Sequence, residues 1–343
     1  MTEVNGLQSQ YDAHENFVSD KWELYISVYN PLLCPLRDLP VNLLEIGVQN
    51  GGSLEIWSKF FAKAANIVGY DINPHCERLE YSQPNIYFII GDVNQPETRA
   101  LIAGHSEKSD IVIDDRSHFS SDIIKSFCMF FSKINYDGMY IAEDLHCSYW
   151  AGYEGGLNKS DSCMAFFKAL SDIVNYEHWG LPITQMETLA SFCLTPDITE
   201  DLLAEVASVG FHNSLCIVRR KPALNNGLGR RVIAGDKELV VSVKNLHGSR
   251  SQAPLQRLAS FNADGSKIFS ESNEVAVTYT AKNDKKDFFF TEQAEKIKRL
   301  EAKTIRLNDK ILIAETQLAQ LREQILQYDA TGHNPTFIEE KTQ

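Results

Sequence analysis

The sequence predicts an α/β fold: a doubly wound, mostly parallel sheet that ends in an antiparallel hairpin, followed by a C-terminal coiled-coil helix. Three observations carry this. From residue 43 onward, short apolar runs alternate with helix-length amphipathic segments, the sequence form of strands covered by crossover helices. In EVASVGFHNSLCIVRR two apolar runs are separated only by Phe211–Asn213, which suggests a hairpin closing the sheet. A heptad pattern of apolar residues then begins at Ile297.

The strands are expected at Leu43–Gly47, Asn66–Asp71, Ile86–Gly91, Asp110–Asp114 and Met139–Glu143. Nearly continuous apolar stretches such as IYFII and IVI fit strands buried on both faces. Between them, SLEIWSKFFAKA and SSDIIKSFCMFFSKI carry apolar residues at i, i+3 and i+4, as crossover helices should. After Trp150 the Gly- and Ser-rich AGYEGGLNKSDS reads as a mobile loop, CMAFFKALSDIV as a helix, and the domain is expected to end near Pro222. This gives a first domain at 1–222. Residues 223–290 hold NNG, HGS and NADGS turn signals around LVVSV and VAVTY, and read as small β elements or a linker. The a/d series Ile297, Leu300, Thr304, Leu307, Ile311, Ala314, Leu318, Leu321, Ile325 and Tyr328 predicts a coiled coil over 291–330. Its alternative is an amphipathic helix packed on its own domain. Residues 331–343 read as a flexible tail.

The chain has 343 residues, 43% hydrophobic and 23% charged, with a net charge of −13. That composition is globular, and the acidity argues against nucleic acid or an anionic membrane as a partner. Residues 292–343 hold eight Lys/Arg against nine Asp/Glu, so nearly all of the excess negative charge lies before them. Seven scattered cysteines without a CxxC pair read as reduced core thiols. With no apolar leader and no run long enough to span a membrane, the expectation is a soluble, cytoplasmic protein.

Chemistry concentrates at the strand ends. LLEIGVQNGGSLEIW runs strand, Gly-rich turn, helix; Gly47, Gly51 and Gly52 let a backbone approach a ligand, and Ser53 is placed to cap the helix. The spacing is not G-x-G-x-x-G. The second strand ends in Asp71, placed to accept hydrogen bonds from ribose hydroxyls, and the third in Asp92. Glu45 and Gly47, then Asp71, then Asp92 describe a nucleoside site at the carboxyl edge of the sheet. This ordered set resembles the class I S-adenosylmethionine-dependent methyltransferases, which have a Rossmann-like fold. The resemblance implies that the Gly-rich loop holds the methionine portion of the cofactor, Asp71 the ribose and Asp92 the adenine. The cofactor-binding residues expected are Glu45, Gly47, Ser53, Asp71, Asp92 and Asp114.

The next two strands end IVIDDRSHF and YIAEDLHCSYW. Carboxylates gathered from Asp114, Asp115, Glu143 and Asp144 repel unless protonated or occupied by a cation, and hard oxygen donors suit Mg²⁺, Mn²⁺ or Ca²⁺. His118 is a suitable proton acceptor near neutral pH, whereas His146 reads as structural. Singly, each acid is more often a helix cap than a metal ligand. DDxSH, EDxxxxYW, AGYEGG, SDKWELYISVY, GDVNQPE and the hairpin are together similar to the macrocin and mycinamicin type of sugar O-methyltransferases, over roughly residues 18–222. That resemblance implies Mg²⁺ on Asp115, Glu143 and Asp144, with His118 as general base. Arg116 stands where that family commonly has Gly. It would be strained if the position needs positive φ, or its guanidinium would meet an anionic substrate group. Tyr149, Trp150 and Tyr153 read either as a lid stacking on the sugar or as aromatic packing under a loop.

The function expected is S-adenosylmethionine-dependent, Mg²⁺-assisted O-methylation of a sugar hydroxyl on a glycan or glycosylated natural product. The competing readings are an oxidising enzyme similar to the cephalosporin hydroxylases, and an inactive methyltransferase-like scaffold on a coiled coil. The coiled coil points toward a homo-oligomer, docking to glycosyltransferases, and polysaccharide biosynthesis.

Overall fold

The computed structural model describes residues 6–256. The coiled-coil series, the oligomer expected through it, the VAVTY run and the tail lie outside the described residues. In chain order the helices are Leu7–Asp12 (α1), Glu23–Leu33 (α2), Gly52–Phe60 (α3), Pro96–His105 (α4), Ser120–Phe131 (α5), Cys163–Val174 (α6), Gln185–Thr188 (α7) and Glu200–Leu203 (α8). The strands are Asn42–Ile46 (β1), Asn66–Asp71 (β2), Ile86–Ile90 (β3), Ser109–Asp114 (β4), Ile134–Ala142 (β5), Val206–His212 (β6) and Leu215–Arg220 (β7).

These strands form one sheet in the order β3-β2-β1-β4-β5-β7-β6. β1 to β5 are parallel and β7 runs antiparallel to both β5 and β6. The five parallel strands stand where the apolar runs place them, with β5 starting earlier, at Ile134. The hairpin is present, but its turn is Asn213–Ser214, because Phe211 and His212 still pair with Cys216 and Leu215; Ser214 takes the positive φ of 68° that the reversal requires. Between β2 and β3 the connection is a short 3₁₀ helix, Pro74–Arg78. Arg220 ties the hairpin to β5: its guanidinium pairs with Glu205 at 2.5 Å and donates to the carbonyls of Ser132 and Ile134.

Because side chains alternate across a strand, the two sheet faces carry two separate cores. One face sets Leu43, Ile67, Ile111, Ile113 and Ile141 against Tyr25 and Tyr29 of α2 and Trp57 and Phe60 of α3. The other sets Leu44, Val68, Val112 and Tyr140 against Phe127 and Phe131 of α5 and Phe166 and Phe167 of α6. Buried aromatics of this size dominate the apolar area withdrawn from water. Six of the seven cysteines are buried or half-buried, and all seven are free thiols.

After Arg220 the described chain has two short 3₁₀ helices, Ala223–Asn225 and Lys244–Leu246, and one antiparallel bridge between Arg230 and Arg250. The LVVSV run forms no strand; Leu239 and Val240 are exposed. No helix among the described residues is long and apolar enough to cross a membrane.

Candidate active site

The carboxyl ends of β1, β2, β3 and β4 open into a cleft of about 380 Å³ lined by Gly47, Gln49, Asp71, Asp92, Arg116 and His118 among others. Gly47 has φ +88°, and a Cβ there would lie 2.3 Å from the carbonyl oxygen of Asp115. Glycine is required at this point, since the turn after β1 passes directly under the loop after β4. Asp71 fixes that turn: its Oδ2 accepts from the backbone N–H of Val48 and of Gln49, both at 3.0 Å, and its Oδ1 from Asn73 N–H at 2.8 Å. Asp92 Oδ1 accepts from Asn94 N–H at 2.9 Å. Gly47, Asp71 and Asp92 therefore share one cleft, as the strand-end pattern predicts.

Glu45 and Asp114 stand elsewhere, while Ser53 lines an adjoining cavity of about 110 Å³ with Gly47, Gln49, Asp115 and His118. Glu45 is fully buried behind the turn, accepts from Ser53 Oγ at 2.7 Å, and has its carboxyl raised by burial. Ser53 does not cap α3; the N-cap is Gly51, at φ 88°. Asp114 points to the opposite face of the sheet, where Tyr140 donates to it and burial raises its carboxyl. It is thus withdrawn from the cleft at which it was expected, because it shares the face of Val112, two residues earlier.

Glu45, Asp115 and Glu143 share the other face, and Lys21 is at their centre. Its ammonium lies 2.6 Å from Asp115 Oδ2, 2.8 Å from Glu143 Oε2 and 3.4 Å from Glu45 Oε1, on a side chain 3% exposed. The surrounding carboxylates hold the Lys21 ammonium well above its ordinary value, against the desolvation that opposes its charge. Glu143 Oε1 accepts from Tyr29 OH at 2.5 Å. Burial raises the Glu143 carboxyl while Lys21 pulls it down.

Asp144, with Asp115, forms the outer part of the cluster. Its Oδ1 accepts from Tyr25 OH at 2.7 Å and Trp22 Nε1 at 3.1 Å, and its Oδ2 lies 3.6 Å from His118 Nε2. Asp115, His118 and Asp144 each offer a ligand atom within 4.8 Å of the others. Glu143, expected beside them, has each oxygen already engaged by Lys21 or Tyr29. Arg116 is not at positive φ; His118 is, at φ 60°. The guanidinium closes on the first turn of α5, donating to Asp122 O at 2.6 Å.

Beyond Asp144 a second cavity, of about 490 Å³, is lined by Trp22, Leu24, Tyr25, His146 and Trp150. Trp22 and Trp150 are 59% and 52% exposed, and both pack edge-on against His146. Tyr153 lies over Phe119 and faces His118, with ring centroids 5.5 and 6.4 Å apart. Tyr149 lines a different cavity, with Lys159 and Lys168. Lys21, Trp22, Tyr25 and Tyr29 had no role read from the sequence. The signal that points to them is period-2 counting: Glu45, Asp115 and Glu143 share the parity of Leu43, Ile113 and Ile141, hence the face covered by α2.

A seven-stranded sheet in this order, with its cleft at the parallel strand ends and an acid closing β2, defines a Rossmann-like fold of the methyltransferase type. No protein-family model matches the chain. The chain is 30% identical over 222 residues to the 8-demethyl-8-alpha-L-rhamnosyl tetracenomycin-C 2'-O-methyltransferase of Streptomyces olivaceus, covering 62% of this chain and 54% of that protein. It is 31% identical over 193 residues to the demethylmacrocin O-methyltransferase of Streptomyces fradiae, 52% of this chain and 46% of the other. Among solved structures it is similar to the MycE methyltransferase of the mycinamycin biosynthetic pathway in complex with Mg and SAH: TM-score 0.51 and 25% identity over 65% of this chain and 55% of that one. The chain is thus homologous to sugar O-methyltransferases of macrolide and tetracenomycin pathways, and spans about half the length of the curated relatives it matches.

Proposed function

We propose that the chain is an S-adenosylmethionine-dependent O-methyltransferase acting on a sugar hydroxyl of a glycosylated natural product. The observation that carries this is the meeting of Asp115, His118 and Asp144 between two cavities, one lined by Gly47, Asp71 and Asp92, the other by indole rings.

The residues present fit both groups such an enzyme needs. The first cleft has a side-chain-free floor at Gly47 and two acids on its rim, suited to the methionine portion and the nucleoside of the cofactor. A metal is suited by the donor set, which is carboxylate-rich and already gathers a cation, the Lys21 ammonium, in its inner part. Asp115 and Asp144 would hold a divalent ion, with Glu143 joining them. When bound, S-adenosylmethionine supplies an electrophilic methyl group, and the ion lowers the pKa of a coordinated hydroxyl.

His118, whose Nε2 lies 3.6 Å from Asp144 Oδ2, would take the proton from the acceptor hydroxyl. Tyr153 stands beside His118, with ring centroids 6.4 Å apart. Trp150 and Trp22 offer apolar faces to the sugar and its aglycone. Arg116 braces the loop that carries His118 against α5. Glu45 and Asp114 support the strand ends from beneath, and Ser53 holds the Glu45 carboxylate.

The test is a product assay with methyl-labelled cofactor and rhamnosylated acceptors, with and without Mg²⁺. Label transferred to a sugar oxygen, and lost on chelation, is the expected outcome. Full transfer after exhaustive metal removal overturns the metal's part; cofactor binding without transfer to any glycoside overturns the acceptor class.

A further inference from the structure

Lys21 reaches the site from the segment that precedes α2. Its ammonium is bound by acids from the ends of three different strands, Glu45 of β1, Asp115 beyond β4 and Glu143 beyond β5. Buried carboxylates this close together are unfavourable without a cation among them. The lysine therefore supplies among these acids the positive charge that a metal would otherwise have to supply. It divides the acids into two sets. Glu143 is engaged on both oxygens, by Lys21 and by Tyr29. Asp144 receives no lysine and turns toward His118.

An ammonium and a divalent ion on the same carboxylate oxygens repel one another. The ammonium also sits on a flexible four-carbon stem, so it can move without the backbone moving. We propose that Lys21 is a built-in competitor for the divalent cation: it holds Asp115 and Glu143 together in the metal-free protein, and metal binding requires that it give up Glu143. Lys21 then sets how tightly the site takes its metal, and lets the cluster fold before the metal arrives. This rests on the metal reading proposed above.

Lys21→Met keeps most of the stem and removes the charge. Calorimetric titration of the full chain with Mg²⁺ and Mn²⁺ is expected to show binding tighter by about tenfold or more in the variant. Its metal-free melting temperature should be lower than that of the wild type, and its rise on adding metal larger. Lys21→Arg, which keeps the charge, should stay close to the wild type. An equal or weaker metal affinity in Lys21→Met overturns the inference and leaves Lys21 a purely structural role. If neither the wild type nor any variant binds a divalent ion, the metal reading falls and this inference with it. Should Lys21→Met not fold, wild-type crystals grown with and without Mn²⁺ decide. The ammonium off Glu143 in the loaded form supports the competition; the ammonium still on Glu143 beside a bound ion overturns it.

Discussion

Asp144 Oδ2 lies 3.6 Å from His118 Nε2, and both residues are held in the left-handed backbone region, at φ 53° and φ 60°. For residues other than glycine that conformation costs about 1–2 kcal/mol each. The strain expected at Arg116 thus falls two residues later, on the residue proposed to move the proton. Arg116 itself is braced by Asp122 and carries none.

This separates stability from function at His118. Asparagine tolerates the left-handed region and its amide is no base, so His118→Asn should match or exceed wild-type stability, by up to about 1 kcal/mol in urea unfolding. Transfer should fall about 100-fold or more, with binding of S-adenosylhomocysteine, measured by calorimetry, unchanged. Near-wild-type transfer would remove His118 from the chemistry.

Gly47→Ala should act on two sites at once. The added Cβ would sit 2.3 Å from the Asp115 carbonyl oxygen on a backbone at φ +88°, so the loop after β4 must move. A destabilisation of about 1–3 kcal/mol is expected in urea, together with loss of cofactor binding. An alanine variant that binds cofactor normally would show that the turn has room the geometry denies.

Asp71 can be divided into its two jobs by comparing two substitutions. Asp71→Ala removes the acceptor for the N–H groups of Val48, Gln49 and Asn73, and should cost about 2 kcal/mol or more of stability. Asp71→Asn keeps one acceptor oxygen for Val48 and Gln49 but sets its NH₂ against the Asn73 N–H, and should lose cofactor affinity with a smaller loss of melting temperature than Asp71→Ala. Equal effects of both on melting temperature would mean that one acceptor oxygen alone does not hold the turn.

Trp150 lines the cavity beyond Asp144 without bonding to the acidic cluster. Trp150→Ala should raise the acceptor's KM about tenfold while kcat changes little, since stacking lost equally from ground and transition states shows only in binding. A fall in kcat alone, measured in steady-state kinetics, would place Trp150 in the chemistry instead.

The thiols give a check on the fold that needs no substrate. Burial pushes the Cys128 thiol up to about 11 and raises Cys163 and Cys216 as well. Near neutral pH, iodoacetamide should label exposed Cys193 first. Cys128, Cys163 and Cys216 should react only on unfolding, as mass spectrometry of peptides would show.

Much of this protein was legible from local pattern. IYFII and IVI read as strands buried on both faces; β4 is so buried, whereas β3 is the sheet edge, with Tyr87 and Phe88 half-buried and Ile90 exposed. Asp71 follows as a rim residue from the end of NIVGYD, and Asp92 from the end of IYFII. Ser53 was misread as a helix cap because its partner, Glu45, lies eight residues away across a turn. The hairpin was read as a hairpin, but its turn was placed too early: Phe211 looks like a break in sequence and is a paired residue in the sheet.

The sequence by itself determined that carboxylates stand at successive strand ends, since each follows directly on the apolar residues that make its strand. Only the tertiary structure decided which of them meet. Asp114 and Asp115 are neighbours in the chain, yet one is bonded to Tyr140 and the other to Lys21, because successive side chains leave a strand on opposite faces. The lysine that neutralises the inner acids comes from 94 residues before Asp115 and 122 before Glu143. No periodicity records contacts over that separation; they exist because α2 packs on the face where those acids emerge.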